Sequence, residues 1–141
     1  MTQGWGEGRE TRGKGKAMAT VTTRPITSFK DLRVWEAGIE LVKAVYAVCA
    51  KLPREELYGL ASQMKRAAVS VPSNIAEGHS RNHRAEYRQS VYVAIGSLAE
   101  LETQLHLASA LRLLSATDIA PVIQSINELR AMLITLGKKL A

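Results

Sequence analysis

An all-α fold, an up-down antiparallel four-helix bundle with a kinked second helix and a disordered N-terminal tail, is what this sequence predicts, and three observations carry the prediction. Apolar residues recur at steps of three and four through four successive stretches, the period of helices buried along one face. The composition is 46% hydrophobic but only 5% aromatic, which suits interdigitating Leu- and Ala-rich helices better than a strand-rich sandwich. Capping and helix-breaking residues separate the stretches and leave only short loops, so sequence neighbours should run antiparallel. A chain of 141 residues fits one domain and can bury a real core.

Residues 1–27 lack any hydrophobic period and are rich in Gly, Thr and Arg. Such a segment cannot bury enough surface to offset its ordering entropy, so it reads as a flexible tail. An artificial leader or a start placed upstream of the natural one explains it better than a nucleic-acid arm does, and Met18 is a second candidate start. The bundle is expected to occupy residues 28–141.

The first helix is capped by Ser28 or Asp31 and runs to about Leu52, where Pro53 stops it. Leu32, Trp35, Ile39, Val42, Tyr46, Cys49 and Leu52 form its main stripe, and Leu41, Val45 and Val48 widen it. The second begins near Arg54 or Glu55, whose neighbourhood of acidic side chains suits a positive helix N-terminus. It buries Leu57, Leu60, Met64, Ala68, Val71 and Ile75. Pro72 lies within that pattern, removes a backbone bond to Ala68 and predicts a kink; Gly78 reads as the left-handed residue that ends the helix.

A third helix from Asn82 to about Leu114 carries Tyr87, Val91, Ile95, Leu98, Leu101, Leu105 and Ala108 on one face. At 1.5 Å per residue it would be roughly 45 Å long. The fourth starts after Thr117 or Asp118, with Pro121 in its first turn, and buries Ile119, Val122, Ile126, Leu129, Leu133, Leu136 and Leu140.

The second helix has a further stripe made of Gln63, Arg66, Ser70, Ser73, Asn74 and Glu77. These are hydrogen-bonding groups, not the loose Lys/Glu mixture of a solvated face. They could form a binding surface or a subunit contact. Alternatively Ser70, Ser73 and Asn74 repair backbone groups freed by Pro72.

Four segments are recognisable: Phe29-Lys-Asp-Leu-Arg-Val-Trp35, Glu56-Leu-Tyr-Gly-Leu-Ala-Ser-Gln63, Arg66-Ala-Ala-Val-Ser-Val-Pro-Ser-Asn-Ile-Ala-Glu-Gly78 and Gly96-Ser-Leu-Ala-Glu-Leu-Glu-Thr-Gln104. Together they resemble the bacterial four-helix-bundle family encoded in intervening sequences of 23S rRNA genes, from Ser28 to the C-terminus. The resemblance implies a four-helix bundle assembled as a ring-like homopentamer and brings no established enzymatic activity. The family is also similar in fold to the accessory protein of diversity-generating retroelements, which binds nucleic acid and a reverse transcriptase. The tail before Ser28 departs from the family pattern.

Catalytic chemistry finds no foothold. The carboxylate bundles that hold two metals use Glu-x-x-His pairs; here Glu102 and His106 are four apart, and Gly78 interrupts the helix beside His79 and His83. No metal or other cofactor is therefore expected. Cys49 lies on an apolar stripe, where a thiol acts as a small hydrophobe, and as the only cysteine it can make no disulfide within the chain. Gly4-Trp-Gly-Glu-Gly8 lacks the strand and helix that a phosphate-binding loop needs. No apolar run approaches the ~18 residues of a membrane span, and no secretory signal opens the chain, so a cytoplasmic protein is expected.

The net charge of +6 divides evenly between the tail and the remainder. Lys65 and Arg66 on the second helix, with Arg81, Arg84 and Arg88 around the turn into the third, could track phosphates of RNA or DNA, though a solvated face, with Arg84 and Arg88 pairing locally with Glu86 or Glu77, is the favoured alternative. The lack of exposed aromatics argues against a platform that stacks single-stranded bases; Trp5, in the tail, is the only candidate. Val34, Leu41, Val45 and Val48, with Leu107, Leu111 and Leu114, exceed what one bundle needs and predict a homo-oligomer. The sequence thus predicts a non-catalytic homo-oligomeric bundle that binds nucleic acid, or else a scaffold for another protein.

Overall fold

A computed structural model describes residues 25–141. The tail expectation for residues 1–27, with Trp5 and Met18, falls outside the described residues except at its last three positions. Among the described residues there are four α-helices and no strand: α1 (Arg33–Cys49), α2 (Leu60–Ser80), α3 (Arg84–Ala110) and α4 (Ala116–Lys139).

Each helix packs on its two neighbours in the order α1, α2, α3, α4 and back to α1, and neither diagonal pair comes into backbone contact. Paired residues between α2 and α3 run in opposite senses, Ser70 against Ser97 and Gly78 against Ser90, as an up-down bundle requires. The axis is filled by Leu41, Met64, Ile75, Leu98, Leu101, Leu105, Ile126, Leu129 and Leu133, all essentially inaccessible. Each such side chain contributes about 1.5–3 kcal/mol of transfer free energy.

The caps follow from the sequence. Ser28 accepts from the Lys30 N–H, and Asp31 returns a capping-box bond to Ser28; they cap a short 3-10 turn (Phe29–Asp31) and not α1 itself, whose N-cap is Leu32 without a side-chain bond. Ser115 and Asp118 form the same device on α4, which therefore begins about two residues earlier than expected and places Pro121 in its second turn. Arg54–Glu56 form a 3-10 turn and not the start of α2, while Glu56 Oε1 accepts from the Leu60 N–H at 3.1 Å. That is why Leu57, expected inside, is 48% exposed. α3 stops at Ala110 in a Schellman motif, with Leu113 N–H to Ala108 O at 2.8 Å and Arg112 left-handed at φ 62°, so Leu114 belongs to the connection.

The two stripes of α1 exchange roles over most of its length, while Cys49 at its far end and Leu52 just beyond are buried as expected. Val34, Gly38, Leu41, Val45 and Val48 face the core, whereas Trp35, Ile39 and Val42 are half-buried and Tyr46 is exposed. Gly38 decides this. A β-carbon there would stand 3.2 Å from Pro72 Cβ, so α1 meets α2 most closely along the stripe that contains it. The aromatics occupy the flank, Trp35 edge-on to Phe29 at 5.4 Å. Val34, Leu41, Val45, Val48 and Leu114 are accordingly core residues and are not surplus; Leu107 and Leu111 do remain exposed.

Gly78 also departs from expectation. It lies inside α2, which ends at Ser80, and the left-handed residue is Asn82 at φ 61°. Gly78 is needed for packing instead, because a β-carbon would fall 2.5 Å from Ser90 Cβ and 3.3 Å from Tyr87 Cα. α2 runs unbroken through Pro72, whose ring is buried against Gly38.

Candidate nucleic-acid interface

At the end of the bundle where α2 turns into α3, Arg81 caps α2, Asn82 supplies the reversal and His83 leads into α3. Arg81 joins both helices: Nη2 is 2.9 Å from Glu77 Oε2 and Nη1 is 3.5 Å from Glu86 Oε1. The Glu77 carboxylate, and Glu86 after it, push its guanidinium further toward the charged form.

Three residues at four-residue spacing on α3 face the C-terminal end of α4. Arg84 Nη2 donates to the Lys139 carbonyl. The Arg88 guanidinium lies over the Tyr92 ring, 5.0 Å from its centroid. Tyr92 in turn rests on α4 where Gly137 has no side chain; a β-carbon there would come 3.0 Å from Cε2, Cζ and Oη. Lys138 and Lys139 are exposed in the last turn of α4. Arg84 thus meets the last turn of α4, where Lys138 and Lys139 lie, and Arg88 follows one turn along α3.

Lys65 and Arg66 do not join them. They lie near the start of α2, so helical rise alone separates Arg66 from Arg81 by about 22 Å. Lys65 Nζ sits 4.8 Å from the Tyr46 ring centroid, and Arg66 is exposed. Exposed aromatics, which the sequence reading confined to Trp5, occur on the bundle itself: Tyr58 is 92% exposed, Tyr46 47% and Tyr92 41%. Tyr92 follows Arg84 and Arg88 at one-turn spacing, and that spacing was the signal that could have found it.

The polar stripe of α2 divides. Ser70 Oγ and Ser97 Oγ are 2.8 Å apart, and the Asn74 amide donates to Ser70 O at 2.8 Å and Ser70 Oγ at 3.0 Å. These groups hold α2 to α3. The repair reading finds no support in these bonds, since Pro72 frees the Ala68 carbonyl whereas Asn74 serves that of Ser70, and Ser73 stays exposed outside the network. Glu77 is taken up by Arg81, and Gln63 and Arg66 are exposed.

His79 packs edge-on to Tyr87 at 5.5 Å; burial lowers the histidine pKa and pushes the tyrosine up to about 12. The Tyr87 hydroxyl and Gln104 Oε1 are buried without a hydrogen-bond partner among the described residues. Cys49 is buried, with its Sγ 3.8 Å from Ala61 O, and burial raises its pKa, against a smaller opposing effect of Lys65. Glu102 bonds Arg130 and lies 3.7 Å from His106; among the described residues no three His, Cys, Asp or Glu side chains gather as a metal site would require. Among the same residues no helix is long and apolar enough to cross a membrane.

No curated protein matches the chain. The profile of the 23S rRNA-intervening sequence protein family matches residues 30–135, which includes all of α1, α2 and α3 and most of α4. On that match, with its four helices, the chain belongs to the 23S rRNA-intervening sequence protein family.

Proposed function

We propose that this protein is a non-catalytic, homo-oligomeric helical bundle that binds RNA or DNA through the corner built by the start of α3 and the end of α4. One observation supports the reading: the hydrogen bond from Arg84 to the Lys139 carbonyl brings the start of α3 to the last turn of α4, which carries Lys138 and Lys139. A guanidinium has five N–H donors, so Arg84 can serve that carbonyl and still present donors to a phosphate. Arg81, already neutralised by two carboxylates, is a weaker participant than the sequence suggests. Lys65 and Arg66 would act as a separate contact beside Tyr46. A pentameric ring, as the family resemblance implies, would repeat the corner around an axis and add avidity without new contacts. A cytoplasmic location accords with this role.

The test is a salt titration of binding to a labelled oligonucleotide, for the full chain and for a Lys138→Glu/Lys139→Glu variant that leaves the Arg84 bond to the backbone intact. Affinity should fall steeply with salt, and each lost phosphate contact should lower the slope of log affinity against log salt by about one unit. Circular dichroism and sedimentation should be unchanged. A variant that binds like the parent at every salt concentration removes the reading.

Exposed Leu107 and Leu111 support a second reading, a scaffold whose α3 face meets another polypeptide. Binding through that face would change little with salt.

A further inference from the structure

Beside Tyr92 is a shallow, open groove of about 530 Å³ lined by Ala85, Arg88, Gln89, Tyr92 and Val93. We infer that this groove is a stacking site for an unpaired nucleobase, so that the corner prefers single-stranded nucleic acid to a duplex. The inference rests on the nucleic-acid reading above and adds the class of ligand and the residue that selects it.

Three features of the groove point to a base. Tyr92 is held on a rigid seat, because Gly137 lets its ring lie against α4 while the side chain stays 41% exposed. A fixed ring loses little freedom when a second π-system stacks on it. Arg88 already places a cation over that ring. Base stacking on an aromatic ring is stronger than an exposed cation–π contact, so a base can displace the guanidinium, which then covers the base or turns to its phosphate. Gln89 is exposed beside the ring and offers an amide that can both donate to and accept from a base edge.

Charge is placed to match. Arg88 lines the groove itself, Arg84 lies one turn before it, and Lys138 and Lys139 follow Gly137, the residue that seats Tyr92, in the last turn of α4. A strand with one base on Tyr92 would have its backbone within reach of them. Duplex bases are already stacked and paired, and cannot reach a ring on a helix surface without being unstacked. A Tyr92 that served only to cover Gly137 would affect stability and have no influence on which strand binds.

The experiment measures fluorescence anisotropy with three probes of equal length: a single-stranded oligonucleotide, the same strand with central abasic sites, and its duplex. The full chain is compared with Tyr92→Leu and Tyr92→Phe. The parent should bind the intact strand about tenfold more tightly than the abasic one, a loss that Tyr92→Leu should reproduce on the intact strand with an unchanged salt slope. Tyr92→Phe should stay close to the parent. Equal affinity of the parent for intact and abasic strands overturns the inference, and this comparison holds even where Tyr92→Leu folds poorly. So does parent-like binding by a Tyr92→Leu sample of undiminished helicity. Absence of salt-dependent binding to all three probes removes the nucleic-acid reading itself, and the inference with it.

Discussion

Gly38 of α1 lies against the ring of Pro72 in α2, so close that a methyl group at position 38 would stand 3.2 Å from Pro72 Cβ and 3.4 Å from its Cδ. Glycine and proline, each unfavourable within a helix, are used together at the point where two helices must approach. Gly38→Val should therefore destabilise the bundle by about 1–3 kcal/mol, the usual cost of overpacking. Pro72→Ala in that background should return part of the loss, as a coupling energy in a double-mutant cycle read by denaturant unfolding. Strict additivity would show that the two sites do not communicate.

A sharper contact joins Gly78 to Ser90. The clash of a β-carbon at position 78 is with Ser90 Cβ at 2.5 Å, not chiefly with its hydroxyl. Gly78→Ala should cost about 1–3 kcal/mol net, because helix propensity returns up to about 1 kcal/mol of the strain. Ser90→Ala should fail to rescue it, and Ser90→Gly should succeed. Rescue by both would place the strain at the hydroxyl instead.

Acid should find a weak point at the start of α4. The Lys51 ammonium 2.9 Å away, and after it the Ser115 backbone and hydroxyl, hold the Asp118 carboxyl down to about 2 against an ordinary 3.8. A depressed carboxyl stabilises the fold fully above its unfolded pKa, and that contribution fades as pH falls through the folded one. The window is therefore roughly pH 4 down to pH 2. Asp118→Asn should flatten the dependence of Tm on pH within it. An identical acid-side decline in the variant would assign the effect to other groups.

Ser70 and Ser97 bridge α2 and α3 with their hydroxyls 2.8 Å apart. Either serine changed to alanine should cost about 1 kcal/mol, since the remaining hydroxyl keeps only its local partner, the Val93 carbonyl for Ser97 or the Asn74 amide for Ser70. The double variant should cost less than the two single losses combined. Thermal melts of the four proteins are sufficient to decide.

The helical period was enough to read four helices and most of their core, because Leu98, Leu101, Leu105, Ile126, Leu129 and Leu133 lie on unambiguous stripes. It could not rank the two apolar stripes of α1, since periodicity records hydrophobicity and is blind to close approach. Gly38 was the clue, in the middle of the stripe that proved to be buried. Gly78 was misread for a related reason: near a helix end glycine usually supplies a left-handed turn, yet here Asn82 does so and Gly78 gives clearance. At the candidate site, the spacing of Arg84 and Arg88 was visible locally. Their meeting with Lys138 and Lys139 was not, because it joins residues 55 positions apart through the packing of α3 on α4.

Under the proposed function, the bond between Arg84 and the Lys139 carbonyl would also make the last turn of α4 a reporter of occupancy. That carbonyl is among those a helix end leaves without an internal partner, and Arg84 supplies one from a different helix. A phosphate first met by the free donors of Arg84 would also draw the guanidinium away from that carbonyl, because phosphate is the stronger acceptor. Filling the corner should therefore loosen the final turn, and the backbone amides of residues 137–141 should exchange with solvent deuterium faster when strand is bound than when the protein is alone.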